Sequence, residues 1–240
     1  MGICLDTEQK NEELETTGGD LSRNDSAWVR RATPPASSFP MQNSSHVKFE
    51  PPNVPVIFVL GGPGSGKVTH CDNLMQERRG VVHINMTDLL QQYAIGNDMQ
   101  DFGTLSSKTV TEVLMLEMKM APTAKTYLVS GYPRSMRDVA EYTDKIQTIS
   151  GVVLVSWRQR VLERQIEYGA RLGHVVLSLA RMELNNFYKH VMPVADYYDQ
   201  NNMLIAVNGE RNPEEVYKDF RAAVLQILGT TDEQSTMNGV

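Results

Sequence analysis

Cysteine is nearly absent: Cys4 and Cys71 are the only two in 240 residues. Two thiols make no disulfide framework, so a packed core has to supply the stability and a reducing, cytoplasmic setting is expected. No apolar run approaches the roughly twenty residues of a membrane span, and no secretory leader is visible. Positive charge is also in deficit. With 23 basic against 29 acidic residues the formal charge is −6, which argues against a nucleic-acid groove and its basic face. The five histidines show no close metal-ligand spacing, so surface or packing roles are expected for all of them. Methionine, by contrast, is plentiful at 13, and Met115, Met118 and Met120 read as helix packing.

The first 53 residues hold no hydrophobic period. They are polar and broken by Pro34, Pro35, Pro40, Pro51 and Pro52, and are expected to be disordered, as is a polar tail over 229–240. Met1-Gly2-Ile3-Cys4 sets an acylatable Gly2 beside a palmitoylatable Cys4, and two lipids would attach the chain to a membrane surface. Asp6 stands where the myristoylation pattern wants Ser or Thr, so an ordinary cytosolic tail is slightly favoured.

Between 54 and 228 strand and helix patterns alternate. Strands are expected at Val56–Leu60, Val81–Ile84, Thr126–Ser130, Val152–Ser156 and Met203–Val207. Helices are expected at Lys67–Arg78, Thr87–Ala94, Ser106–Met120, Ser135–Thr148, Gln159–Tyr168, about Val176–Asp199 and Pro213–Leu228. Such alternation implies an α/β domain, a five-stranded parallel sheet with helices on both faces and right-handed crossovers.

The first strand runs into Gly61-Gly62-Pro63-Gly64-Ser65-Gly66-Lys67-Val68-Thr69. Strand, glycine loop, lysine and helix start compose the phosphate-binding pattern G-x-x-x-x-G-K, from Gly61 to Lys67. Glycines let successive backbone N–H groups turn inward on an anion, and the helix N-terminus adds its dipole. Gly62 to Thr69 is therefore the candidate nucleotide cradle, with Lys67 as its charge. The strict pattern places Ser or Thr directly after the lysine, to reach Mg²⁺; here Val68 intervenes before Thr69.

Four stretches in series resemble the adenylate kinase family of nucleoside-monophosphate kinases: this loop, Tyr127 to Arg134 ending Gly131-Tyr132-Pro133-Arg134, Tyr188 to Tyr198, and Val207 to Val216. The resemblance implies a kinase that moves a phosphoryl group between ATP, held with Mg²⁺, and a nucleoside monophosphate, AMP being the expected acceptor. It implies Lys67 and Arg134 as the catalytic charges, Arg134 gripping the acceptor phosphate with its planar fork. Asp88 and Asp138 fall at acceptor-site positions, and Arg164, with Arg171 and Arg181 nearby, at the lid. A monomer is expected.

Departures fall on the working positions. Ser130 stands where the family has the aspartate that holds Mg²⁺ through water, which leaves the metal without a strong protein ligand. Gln91 replaces a phosphate-gripping arginine, Asp138 the base-reading glutamine, and Tyr168 a lid arginine. His174 and Val175 lie near the family's paired lid aspartates, and Glu183 replaces a further arginine. The stretch from Leu90 to Phe102 is short, so the acceptor lobe is expected to lack a helix. Two readings follow: a weak nucleoside-monophosphate kinase, or a catalytically inactive nucleotide-binding protein with a regulatory or scaffold role. A small GTPase is excluded for want of a guanine-reading motif.

Overall fold

The computed structural model describes residues 49–99, 101–174 and 176–237. Gly2, Cys4 and most of the expected disordered N-terminal region lie outside them, as does Val175. Five strands form one parallel sheet: β1 (Val56–Gly61), β2 (Val81–Asn85), β3 (Thr126–Ser130), β4 (Gly151–Ser156) and β5 (Leu204–Asn208), in the order β2-β3-β1-β4-β5. Every residue of β1 and β3 is buried, which is why these strands read as unbroken apolar runs instead of alternating ones.

The strand period of two divides the core. Val56, Phe58 and Leu60 point to one face with Val129 and Leu154, under α2 (Met86–Gly96), α3 (Ser107–Met120), α4 (Met136–Lys145) and α7 (Met192–Gln200). Ile57 and Val59 point to the other with Leu128 and Val153, under α1 (Lys67–Glu77) and α8 (Pro213–Met237). A third, small cluster joins α5 (Gln159–Arg171) to α6 (Leu177–Asn186) through Leu162, Ile166, Ala180 and Leu184. The strand order turns outward on both sides of β1, so the loop after β1 opens at the crevice where ligands bind such sheets.

Several boundaries move. Phe49 and Val54 pack on the core, and the Thr148 hydroxyl donates to Pro52 O at 3.0 Å, so the domain begins four or five residues before Val54. The helix expected to end at Tyr168 continues to Arg171, because Gly169 is buried inside it and the left-handed glycine that closes it is Gly173 (φ +76°). The long helix over 176–199 is interrupted by a π-helical segment, Phe187–Val191, just before Pro193, whose missing N–H breaks the regular bonding. α8 runs past Leu228 to Met237, where a polar tail was expected; Gly229 weakens a helix but does not stop it. Between α2 and α3 the described residues hold a single short helical turn, Phe102–Thr104, in keeping with the short acceptor lobe. Met118 is buried and Met115 packs against the core, whereas Met120 is 62% exposed and takes no part in packing.

Candidate nucleotide-binding site

The loop between β1 and α1 has the geometry its glycines predict. Gly64 and Gly66 adopt φ of +73° and +84°, where side chains are strained, and Gly66 is the residue from which α1 starts. A Cβ at Gly64 would meet nothing within 4 Å, so the loop is open at that residue. The Ser65 hydroxyl is buried and has no hydrogen-bond partner, and the Ser65 N–H turns back to Gly62 O at 3.2 Å. A loop open at Gly64, at the N-terminus of α1 and with an unsatisfied hydroxyl at Ser65, fits a phosphate group.

Lys67 is half-buried and donates from Nζ to Gly62 O at 3.4 Å. Burial pulls its ammonium below the ordinary lysine value, while Cys71 and Glu183 hold it up. Glu183, on α6, shows the reciprocal effect: partial burial raises its carboxyl and Lys67 opposes the rise. The glutamate at an expected arginine position thus shares its field with the loop lysine. Val68 and Thr69 occupy the first turn of α1, both half-buried.

Trp157, after β4, donates its indole N–H to Ser65 O at 3.3 Å and ties the loop to the start of α5. Its neighbour Arg158 pairs with Glu210 after β5, Nη2 to Oε2 at 2.6 Å, and this holds Glu210 below the usual carboxylate range. The β5–α8 turn is thereby fastened beside the loop.

Acceptor-side residues behave differently from the sequence expectation. Arg134 is brought close to Asp138, and the two are spent on each other. Arg134 donates from its backbone N and from Nε to Asp138 Oδ2, each at 2.9 Å, and from Nη2 to Leu105 O at 3.1 Å. Asp138 is wholly buried, so it is a structural counter-ion and not a surface that reads a base. Asp88 is exposed in the first turn of α2 and partners the cap, Asn85: Asn85 Nδ2 donates to Asp88 Oδ2 at 2.9 Å, and the Asp88 N–H donates to Asn85 Oδ1. Gln91 is exposed on the same helix.

On the lid side Arg164 and Arg171 are exposed on α5. Arg181 pairs across to Glu167 at 2.9 Å, with both side chains largely in solvent. That pairing fastens α6 to α5.

One histidine meets the packing expectation and another goes beyond it. His70 is a packing residue, stacked on Tyr217 and Phe220 with ring centroids 6.1 and 5.7 Å away, although its Nδ1 is buried without a partner. His83 is more than packing. Its Nδ1 lies 2.6 Å from Asp72 Oδ1 and its Nε2 lies 2.7 Å from Ser130 Oγ. Ser130 is fully buried at the carboxyl end of β3. A sequence signal existed: an imidazole inside the apolar strand Val81–Asn85 needs partners for both nitrogens.

No described cluster of three His, Cys, Asp or Glu side chains could hold a metal ion. The Thr69 hydroxyl, in the first turn of α1, is a hard oxygen donor of the kind that would suit a hydrated Mg²⁺, with nucleotide phosphates supplying the charge; Ser130 is fully buried and its hydroxyl is taken up by His83.

Comparison with known proteins bears on this geometry. The sequence profile of the family described as "AAA domain" matches residues 60–171. The chain is 28% identical over 201 residues to a uridylate kinase of Saccharomyces cerevisiae, covering 77% of this chain and 98% of that one. UMP-CMP kinase 1 of rice is 28% identical over 199 residues, covering 77% and 81%. Adenylate kinase isoenzyme 1 of carp is 29% identical over 177 residues, covering 68% and 90%.

Proposed function

Because the chain belongs to the nucleoside-monophosphate kinase family, we propose that it binds ATP on the loop Gly62–Thr69 and transfers the terminal phosphoryl group slowly to a nucleoside monophosphate. The observation that carries this reading is the open loop with Lys67 docked on its rim, 3.4 Å from Gly62 O. Backbone N–H groups orient the phosphates, and Lys67 offsets the charge that develops as the phosphoryl group moves. When bound, Mg²⁺ supplies charge neutralisation between the outer phosphates. Trp157 keeps the loop in register with α5.

Slowness follows from the same residues. Arg134 has to leave a buried carboxylate before it grips an acceptor phosphate, and that exchange costs part of the binding energy. Glu183 sets a negative charge near Lys67, where attraction to a polyphosphate is wanted. Gln91 offers dipoles in place of a full charge. The second reading, a nucleotide-binding regulatory protein without turnover, is favoured by one observation, the engagement of Arg134 by Asp138.

AMP is the acceptor proposed first; UMP and CMP are the rivals suggested by the relatives' names. A coupled assay with ATP, Mg²⁺ and each monophosphate decides the matter, run beside Lys67→Ala. Slow transfer to one monophosphate, lost in Lys67→Ala, supports the kinase. ATP binding by calorimetry with no transfer to any of them supports the second reading. Absence of both refutes the nucleotide site.

A further inference from the structure

Exposed apolar side chains gather at one end of the α5–α6 hairpin. Among the described residues ten large apolar side chains are exposed, and five of them fall within 168–182: Tyr168, Leu172, Val176, Leu179 and Met182. Tyr168 and Leu172 stand four apart, on α5 and its C-cap, and Val176, Leu179 and Met182 recur at a spacing of three from the N-cap of α6. Leu162, Ile166, Ala180 and Leu184 already fill the seam between the two helices, so the exposed set is surplus to the packing that joins them. Val176 is 66% and Leu179 50% exposed. Apolar side chains scattered singly over a surface need no explanation, but a cluster at one hairpin end does.

The charge of this hairpin opposes that of the chain. Between 158 and 186 five arginines stand against three glutamates, whereas the whole chain carries 23 basic and 29 acidic residues. Pairing sharpens the contrast. Arg158 is held by Glu210 and Arg181 by Glu167, and Glu183 lies in the field of Lys67. Arg160, Arg164 and Arg171 are exposed and form no ion pair among the described residues. At i, i+4 and i+11 they fall on one line of α5, opposite the buried Leu162, Ile166 and Gly169. Glu163, the remaining carboxylate, accepts from Gln159 Nε2 at 2.9 Å to one side of that line.

Apolar side chains beside unpaired arginines match a surface that is apolar beneath an anionic layer. Arginine stems lie along the acyl boundary while their guanidinium groups reach headgroup phosphates. Such a surface demands no groove of matching shape. Gly2 and Cys4 set two acylatable residues in the same chain, and a single acyl chain holds a protein only marginally unless a basic or apolar surface joins it. That pointer favours an acidic bilayer over an acidic protein. No described helix is long and apolar enough to cross a membrane, so the contact is one of lying on the surface.

We propose that the α5–α6 hairpin docks on an anionic phospholipid bilayer, with Leu172, Val176 and Leu179 entering the headgroup boundary and Arg164 and Arg171 pairing with lipid phosphates.

The test is sedimentation of the full, unacylated chain with sucrose-loaded vesicles at millimolar lipid, with light scattering beside it. Vesicles of phosphatidylcholine containing about one-third phosphatidylserine should carry the chain down, and pure phosphatidylcholine should bind it about tenfold more weakly. Arg164→Gln with Arg171→Gln should lower the partition constant for anionic vesicles about fivefold per arginine, and added salt should erode the same contribution. Val176→Ser with Leu179→Ser should lower it about tenfold for both vesicle types. Ile95→Ser removes a side chain of similar exposure from α2 and should leave partition unchanged, with thermal midpoints confirming the fold of each variant. No sedimentation with anionic vesicles overturns the proposal, as does equal partition of parent and hairpin variants. If Val176→Ser with Leu179→Ser weakens ATP binding in calorimetry and leaves partition unchanged, the face belongs to closure over the phosphate loop and the proposal falls. A dimer in light scattering that these substitutions dissolve, with partition unchanged, gives the face to a second copy and likewise overturns it.

Discussion

Arg134 and Asp138 hold each other by two prongs, Nε to Oδ2 at 2.9 Å and Nη2 to Oδ1 at 3.3 Å, one turn apart at the start of α4. The carboxylate is wholly buried and the guanidinium side chain 23% exposed, so this pair lies on the rim of the core. Arg134→Ala leaves an unpaired buried charge and should cost about 3–5 kcal/mol of stability, read by urea unfolding. A loss below about 1 kcal/mol would show the pair to be ornamental.

Asp138→Asn removes the charge that occupies Arg134 but keeps an acceptor for its N–H groups. In the parent, a dinucleotide that links ATP to an AMP half should bind hardly better than ATP. In Asp138→Asn it should gain about tenfold, since the linked half then finds a free guanidinium. Calorimetry with both ligands checks this. A parent that already prefers the linked compound by orders of magnitude contradicts the idea of an occupied arginine.

Glu183→Gln takes a carboxylate away from the field of Lys67. ATP should bind about fivefold tighter, an effect of about 1 kcal/mol that shrinks as salt is raised. Equal affinity at low and high salt would place Glu183 too far from the phosphates to matter.

Acid stability should depend on His70. Burial holds its imidazole below the ordinary value of 6.5. The unfolded chain therefore takes up a proton in a range where the folded chain does not, and stability rises with pH across that range. The contribution is complete above about pH 6.5 and is lost as the pH falls toward the depressed folded value. His70→Gln should flatten the thermal midpoint between about pH 5 and about pH 7.5. An unchanged acid limb would assign it to other groups.

Truncation locates the true edge of the domain. Removing residues 1–48 should leave the midpoint unchanged. Removing 1–53 also takes Phe49, which packs on the core with Lys119 Nζ 5.7 Å from its ring centroid, and the Pro52 carbonyl that Thr148 uses. That cut should lower the midpoint by about 2–4 °C. Equal midpoints for both cuts would return the boundary to Val54.

Local signals carried the fold into the sequence, and non-local ones did not. The loop Gly61–Lys67 is legible because its strand, glycines and lysine are contiguous, and the buried runs of β1 and β3 announce a parallel sheet. Asp138 looked like a substrate-reading residue because it stands where the resembled family has its base-reading glutamine, and neither its burial nor its pairing with Arg134 shows in that alignment. The His83–Ser130 contact joins residues 47 apart, and only the β2–β3 register brings them together. Asp88 and Asn85 were within reach: a polar residue before a helix and an acid three positions on are a capping signature.

The indole of Trp157 bonds to a carbonyl of the phosphate loop itself, which gives the molecule an optical reporter at its centre. Any ligand that draws Ser65 toward a phosphate changes the electrostatics at that indole N–H and so the colour and yield of its emission. The sequence holds one other tryptophan, Trp28, so a Trp28→Phe background isolates the signal. Occupancy of the loop then becomes a quantity that can be followed in milliseconds by stopped flow, independently of whether a phosphoryl group is ever transferred.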